Sequence, residues 1–252
     1  MNHNKWRLQK IIIGLTLTWL FTFEPNPVTA LEIIKPVTNL VKGLKFTLPP
    51  KGAPGKRKGA GTRGDYCSAI ALVPGTNFGL TTSDNPTFWF YVSYSQARKI
   101  PAEFLLRDKE YNQVYKETFT LKNTPGIVKI TLPETVSKLV TEDLYRWRFS
   151  VICNPTGRLI DRLDDAFVNG GVERVSISSD LEKQLEDKNP RKRIAVYAQQ
   201  GLWFDALTTL AELRLANPED KSLDEDWMEL LQQVGLEEID SKPLVDCCTA
   251  EN

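Results

Sequence analysis

The chain has 252 residues, of which 41% are hydrophobic and 25% are charged, as in an ordinary folded globular protein. This length fits one large or two modest domains, and the composition excludes a disordered or fibrous chain. Thirty-two basic residues balance thirty-two acidic ones, so no overall positive charge predicts binding to nucleic acid.

The first thirty residues have the layout of a secretory signal peptide. Three basic side chains at Lys5, Arg7 and Lys10 precede an uncharged apolar run at 11–23, and small residues follow where signal peptidase cleaves. An uncleaved anchor helix is the alternative, but this run is shorter than the ~20 residues that span a bilayer. We therefore expect residues 1–30 to be removed, giving a periplasmic or extracellular protein with no membrane span after cleavage.

Cleavage also removes His3, the single histidine of the chain. Histidine is the usual general base near neutral pH and the commonest metal ligand, so its loss excludes Ser-His-Asp catalysis, Cys-His catalysis and His-bearing zinc sites. No motif in the sequence is tied to a reaction mechanism. We assign no catalytic residue, no metal site and no cofactor, and we expect a protein that is not an enzyme.

Four cysteines remain after cleavage, and in an exported protein an even number predicts disulfides. We predict a bond between Cys67 and Cys153, because each lies in a strand-like run at opposite ends of one β-rich region. The adjacent Cys247 and Cys248 leave three alternatives: a vicinal disulfide, a bridge to another chain, or a site for a soft metal.

Charge divides the mature chain into two parts. Residues 31–179 carry 21 basic and 14 acidic residues, whereas 180–252 carry 8 basic and 17 acidic ones, which favours docking of one part on the other. The first part opens with a segment at 31–64. Apolar spacing between 33 and 44 predicts a short amphipathic helix that packs on the neighbouring domain or contacts a membrane surface. Five glycines, three prolines and five cations at 49–64 predict a mobile basic linker.

Residues 65–179 are predicted to form an immunoglobulin-like antiparallel β-sandwich. Runs rich in β-branched and aromatic residues predict strands at 67–73, 87–94, 102–108, 114–121, 127–132, 144–153 and 167–177. In the run at 144–153, alternation places Tyr145, Trp147 and Phe149 on one face and Arg146 and Arg148 on the other.

The aromatic run at 87–94 allows two interpretations. Trp89, Tyr91 and Tyr94 line a sugar-binding face, or they fill the core. We favour the core, because Phe88 and Phe90 make the opposite face of the same strand apolar too.

From Ser179 the apolar spacing becomes helical, so we predict a small helical unit at 180–236 and a C-terminal tail at 237–252. Within the unit, one stretch resembles a single tetratricopeptide repeat. The matching positions are Tyr197, Gly201, Trp203, Ala206, Leu207, Leu210 and Pro218. One repeat does not bury its own apolar face, so we expect the unit to pack on the sandwich, on flanking helices or on a partner.

The order of motifs along the chain resembles a cyanobacterial family known as domain-of-unknown-function family 928. The matching stretches include the basic segment at 52–64, GLTT at 79–82, PTFWFYV at 86–92, GLWFDAL at 201–207 and VGL at 234–236. The resemblance spans residues 50–236. It implies no activity, ligand or cofactor, because the family has no established function.

Two surfaces are candidates for binding an envelope protein or an anionic envelope polymer. The first consists of the basic residues Lys56, Arg57, Lys58 and Arg63, for which a solvated spacer is the alternative. The second is a helical surface near Trp203, Phe204 and Trp227, for which a buried domain interface is the alternative.

We therefore predict a secreted, non-enzymatic binding or scaffold protein of the cell envelope. One alternative is an envelope glycan hydrolase, which would need two facing carboxylates from Asp161, Asp164 and Asp165 or from Asp205 and Glu212. Another alternative is an accessory factor for the assembly of secreted proteins.

Overall fold

The computed structural model describes residues 43–61, 67–94, 100–136, 138–154 and 159–250. The predicted signal peptide, the predicted amphipathic helix up to residue 42 and Arg63 lie outside these ranges. Two β-sheets and four α-helices make up the described chain, so the predicted mixture of β and α structure is confirmed.

Strands occupy the first two thirds of the described chain, and helices follow. The strands are β1 (Lys58–Ala60), β2 (Ser68–Ala71), β3 (Phe78–Thr81), β4 (Thr87–Val92), β5 (Ile100–Arg107), β6 (Gln113–Leu121), β7 (Gly126–Thr131), β8 (Leu144–Val151), β9 (Ala166–Arg174) and β10 (Thr249–Ala250). The helices are α1 (Ser179–Leu185), α2 (Pro190–Gln199), α3 (Trp203–Ala216) and α4 (Lys221–Gln232), with 3₁₀ turns at Leu159–Asp164 and Glu237–Ile239.

The strands form a four-stranded sheet in the order β1-β2-β4-β7 and a six-stranded sheet in the order β10-β6-β5-β8-β9-β3. Each of the seven predicted strands overlaps an observed one, while the short β1, β3 and β10 were not predicted. The expectation of wholly antiparallel pairing is corrected at β3, which runs parallel to β9. These two strands are far apart in sequence, which leaves room for the long connection that a parallel pair needs.

Aromatic side chains fill the space between the two sheets. Phe90 of β4 stacks on Phe149 of β8 with ring centroids 4.2 Å apart, and Phe88 packs 4.9 Å from Phe104 of β5. Trp147 lies among them and is 1% exposed. The structure keeps the predicted separation of the two faces of β8 and turns the aromatic one inward.

Helix α3 covers the other face of the four-stranded sheet. Trp89 points away from the inter-sheet core and its Nε1 donates to Thr208 Oγ1 of α3 at 3.0 Å. Trp203, at the start of the same helix, donates from Nε1 to the Leu72 carbonyl at 2.7 Å. Both rings are buried. Trp89 is thus a core residue, which is the interpretation that we favoured for its strand.

The basic Gly/Pro segment differs from the mobile linker that we predicted. Its residues Lys58–Ala60 form β1 at the edge of the four-stranded sheet, and Lys56 bridges to Asn169 of β9, so the segment connects the two sheets. Gly59 permits this close approach, because a Cβ at that position would lie 2.0 Å from the carbonyl oxygen of Phe167. Glycine serves here to bring two backbones together rather than to provide flexibility.

The C-terminal residues close the opposite side of the sandwich. Ile127 of β7 donates its N–H to the Pro243 carbonyl at 2.8 Å and accepts from the N–H of Val245 at 2.9 Å. Strand β10 then pairs with β6 of the other sheet. Residues 243–250, within the stretch at 237–252 that we predicted as a tail, therefore satisfy backbone groups at an edge of each sheet.

A disulfide joins the sheets at one end of the sandwich. Cys67 precedes β2 and Cys153 follows β8, and their Cα atoms lie 6.0 Å apart, which confirms the predicted pair. Cys247 and Cys248 bond to each other, the first of the three alternatives left open by the sequence. None of the four cysteines is free.

Candidate functional site

The outer face of the six-stranded sheet carries a group of cations that strand register places side by side. Arg107 of β5 lies opposite Arg146 of β8, and Arg148 lies opposite Asn169 of β9. All four residues alternate with buried neighbours, so their side chains lie on the outer face. Arg107 and Arg148 are exposed on that face, and the 3₁₀ turn at Leu159–Asp164 approaches it through Arg162, which lies 3.8 Å from Glu103 of β5.

Lys56, from the segment before β1, joins this group, because Lys56 and Arg148 both contact the aromatic ring of Phe167 in β9. The Nζ of Lys56 lies 3.6 Å from the centroid of the Phe167 ring, and the guanidinium carbon of Arg148 lies 3.8 Å from it. An aromatic face attracts a cation but does not neutralise its charge. Both positive charges therefore remain available to a ligand.

The pKa values of Lys56 and Arg148 show that both cations are partly buried and close to other positive charges. Burial lowers the pKa of Lys56 from its usual 10.5, and the nearby Arg148 lowers it further. Burial also lowers the pKa of the Arg148 guanidinium, with Arg162 next in importance. Each group thus loses some hydration and repels a like charge, so a bound anion would stabilise its charged form.

The carboxylates beside this group are already paired with other cations. Lys116 contacts Glu103 at 2.9 Å, and Arg162 lies 3.8 Å from Glu103 and 2.5 Å from Asp165. Burial raises the pKa of Asp165, although the bond to Arg162 opposes that change.

We call the side chains Lys56, Arg107, Arg146, Arg148 and Phe167 the cationic face. None of its four cations forms an ion pair with a described residue, although Asp165 and Glu103 attract Arg148 at longer range. The surface therefore holds cations without a direct carboxylate partner among the described residues.

The structure gives the consecutive cations of the predicted basic site, Lys56, Arg57 and Lys58, three different sets of partners. Arg57 donates from Nη1 to the Val234 carbonyl at 2.5 Å and from Nη2 to the Gly235 carbonyl at 2.7 Å, just beyond the end of α4. Lys58 is exposed and pairs with Glu238. Of the three consecutive cations, Lys56 alone belongs to the cationic face.

The predicted helical binding surface is buried. Trp203 and Trp227 are 0% exposed and Phe204 is 2% exposed. Phe204 packs against Phe88 with ring centroids 5.1 Å apart, and a Cβ at Gly79 would lie 2.8 Å from the Phe204 ring. These side chains form the buried interface that the sequence left as the alternative, so they do not offer a contact surface.

The carboxylates needed by the hydrolase alternative have separate partners. Asp205 accepts hydrogen bonds from the N–H and the hydroxyl of Thr82, the latter at 2.6 Å, and Glu212 lies 3.8 Å from Lys129. Asp165 is bound to Arg162, and the side chain of Asp161 lies outside the described residues.

Asp205 lies in a cavity of about 140 Å³ between helices α2 and α3 and the loop after β3. The lining residues are Thr81, Ser83, Asn85, Pro86, Thr87, Tyr197, Phe204, Asp205, Thr208 and Thr209, which include one carboxylate and no cation.

Two other kinds of site are absent from the described ranges. No helix there has the length and hydropathy needed to cross a bilayer. Within the same ranges, no three histidine, cysteine, aspartate or glutamate side chains come together in a way that could hold a metal ion.

Sequence reasoning contained a partial signal for the cationic face. The alternation at 144–153 placed Arg146 and Arg148 on one face, but nothing in the pattern showed that Arg107, Lys56 and Phe167 would join them. Register across β5, β8 and β9 decides that proximity.

The fold and the site define a two-sheet β protein with a helical layer on one side and an exposed cationic sheet face on the other. The chain belongs to the family described as Domain of Unknown Function (DUF928), whose model matches residues 53–244.

No curated protein matches the chain significantly. Among solved structures, a β-glucuronidase from Bifidobacterium dentium, in complex with coumarin-3-O-glucuronide, is 17% identical with a TM-score of 0.26. The match covers 51% of this chain and 19% of that one, so the chain spans about a fifth of the glucuronidase. A likeness this weak carries no argument about fold or activity.

Proposed function

We propose that the protein is an exported, non-enzymatic binding protein of the cell envelope that holds an anionic envelope polymer on its cationic face. The observation that carries the proposal is the pair of cations over Phe167, Lys56 at 3.6 Å and Arg148 at 3.8 Å, neither of which has an ion-pair partner among the described residues. Arg107 and Arg146 extend the same charge along the sheet.

The shape of the surface suits an extended ligand. Side chains on one face of a strand repeat about every 7 Å, and neighbouring strands lie about 5 Å apart, so the cations form a flat, closely spaced group. A polymer with repeated carboxylate, sulfate or phosphate groups meets several of these cations at once. Each additional contact is then intramolecular, which raises the overall affinity.

Export is supported by the leader-like residues 1–30 and by the disulfide between Cys67 and Cys153. Disulfides form and persist in oxidising compartments such as the periplasm. Cyanobacterial origin and a place in the envelope belong to the same proposal, as does the choice of a polymer over an envelope protein or an assembly client.

We also propose that the fold is an immunoglobulin-like sandwich followed by one tetratricopeptide-like hairpin. Two sheets joined by a disulfide support the first part. Helices α2 and α3 joined at Gly201, which has a φ of +72°, support the second, because that left-handed conformation favours glycine.

A polymer-binding experiment tests the proposed function. The protein purified from its native export host, with intact disulfides, is titrated with polygalacturonate at several salt concentrations, with neutral dextran as the control polymer. We expect binding to polygalacturonate that weakens as salt rises, because salt screens exposed charges. Absence of binding at low salt, or equal binding to dextran, would contradict the proposal.

Variants locate the surface. Arg146→Gln with Arg148→Gln removes two cations, each contributing about 1 kcal/mol to a contact near 4 Å in water, so we expect about 30-fold weaker binding. The matched control is Lys138→Gln with Lys221→Gln, whose side chains are 70% and 78% exposed outside the cationic face. An equal loss in both double variants would show that total charge, and not this face, governs binding.

A further inference from the structure

The cavity beside Asp205 shares no lining residue with the cationic face, and it has the features of a second ligand site. It opens between the N-terminal turn of α3, the end of α2 and the loop that follows β3.

Several lining groups have hydrogen-bonding capacity that the described fold does not use. Ser83 Oγ accepts from the N–H of Asn85, and Thr208 Oγ1 accepts from Trp89, so both hydroxyls keep a proton to donate. Asn85 donates its amide to Pro133, which leaves its side-chain carbonyl as an acceptor. The Tyr197 hydroxyl has no hydrogen-bond partner among the described residues, and burial raises the pKa of Tyr197, so it stays a donor.

The charge of the lining selects the class of ligand. No lysine or arginine lines the cavity, so an anionic ligand would have no countercharge. The one carboxyl group, Asp205, already holds both donors of Thr82. Burial raises the pKa of Asp205, which disfavours the ionised form that a cationic ligand would need.

A ligand with hydroxyl groups fits what remains, since each hydroxyl both donates and accepts. The volume of about 140 Å³ matches one six-membered ring, as an enclosed cavity of about 150 Å³ holds one benzene molecule. We propose that this cavity binds one neutral sugar or cyclic polyol ring, held by the hydroxyls of Ser83, Tyr197 and Thr208 and by the carbonyl of Asn85.

Ligand-observed NMR and calorimetry on the disulfide-intact protein test the proposal. The probes are glucose, galactose, mannose and myo-inositol, with galacturonate and galactosamine as charged analogues of one of them. We expect at least one neutral ring to bind with a millimolar Kd, as is typical of a ligand this small. If galactose binds, galacturonate and galactosamine should bind at least tenfold more weakly than galactose. Whichever neutral ring binds best, neither charged analogue should bind more tightly than that ring.

Variants assign the binding to the cavity. Tyr197→Phe and Ser83→Ala each remove one hydroxyl, and loss of one hydrogen bond predicts about threefold to tenfold weaker binding. Tyr111→Phe is the matched control, because Tyr111 is 61% exposed and lies outside the cavity. The proposal is overturned if no neutral ring binds at tens of millimolar, if both cavity variants bind as the unaltered protein does, or if a charged analogue binds best.

Discussion

Alanine substitution at three consecutive cations should give three different results, because the fold gives each side chain a different partner. Lys56 lies over Phe167 on the cationic face, Arg57 donates to carbonyls beyond α4, and Lys58 pairs with Glu238 at the surface. A mobile basic linker would instead predict three similar and small effects on stability, with a shared loss of polymer binding.

Arg57→Ala should reduce the free energy of unfolding most. The side chain donates to Val234 and Gly235 at 2.5 and 2.7 Å, and its pKa is lowered by burial, so these bonds are partly shielded from water. Hydrogen bonds from a charged group contribute about 1.5–3 kcal/mol each. Because the side chain is partly exposed and water replaces part of this, we expect a loss of about 2–4 kcal/mol.

Lys58→Ala should change little, since the side chains of Lys58 and Glu238 are 54% and 44% exposed. Exposed ion pairs contribute about 0–1 kcal/mol to stability.

Lys56→Ala should act mainly on binding. Its contact with Phe167 contributes about 0.5–1 kcal/mol to folding. Loss of about 1 kcal/mol of attraction to a bound anion predicts about fivefold weaker binding to polygalacturonate.

Urea unfolding and polymer titration of the three variants check this pattern. The unaltered protein and Lys221→Ala serve as controls, since Lys221 is an exposed cation elsewhere. If Arg57→Ala unfolds at the same urea concentration as the unaltered protein, the carbonyl contacts do not stabilise the fold. If Lys58→Ala weakens polymer binding as much as Lys56→Ala, position on the sheet face is not what matters.

Three further predictions concern the core and the cavity. Burial raises the pKa of Asp205 above its usual 3.8, so the folded chain holds this proton more tightly, and the free energy of unfolding falls as pH rises from about 4 through the raised pKa. Urea unfolding across pH should therefore show a flatter profile for Asp205→Asn. An unchanged profile would refute the raised pKa of Asp205. Replacing Cys67 and Cys153 with alanine opens a loop with a sequence separation of 86, so the free energy of unfolding, measured by heat or urea, should fall by about 4–5 kcal/mol. A fall below about 1 kcal/mol would contradict stabilisation of the fold through the entropy of the unfolded chain. Trp203→Phe leaves the Leu72 carbonyl without its donor, so the free energy of unfolding should fall by about 1–3 kcal/mol while polymer affinity stays the same. Weaker polymer binding at unchanged stability would instead show that Trp203 contacts the ligand.

The sequence alone was sufficient for features that depend on short stretches of chain. Alternation in β8 placed Trp147 and Arg148 on opposite faces, and the change of apolar spacing near Ser179 marked the start of the helices. The disulfide between Cys67 and Cys153 was also predicted, because each cysteine lies beside a strong strand pattern. A strand repeats every two residues and a helix every 3.6, so local spacing is enough to distinguish them.

The candidate sites depended on residues that are distant in sequence. Lys56, Arg107, Arg148 and Phe167 come from four separate stretches, and only strand register brings them onto one face. The same holds for Asp205, whose carboxyl group meets Thr82 across the helix and sheet layers.

Composition described the basic segment and the C-terminal residues as a linker and a tail, yet both satisfy sheet edges. Composition predicts which side chains prefer water, and the local order of residues determined that the chain has a β-rich part and a helical part. The tertiary structure decided which charges remain unpaired and which carbonyls find a donor, since each such contact requires a partner supplied by a distant part of the chain.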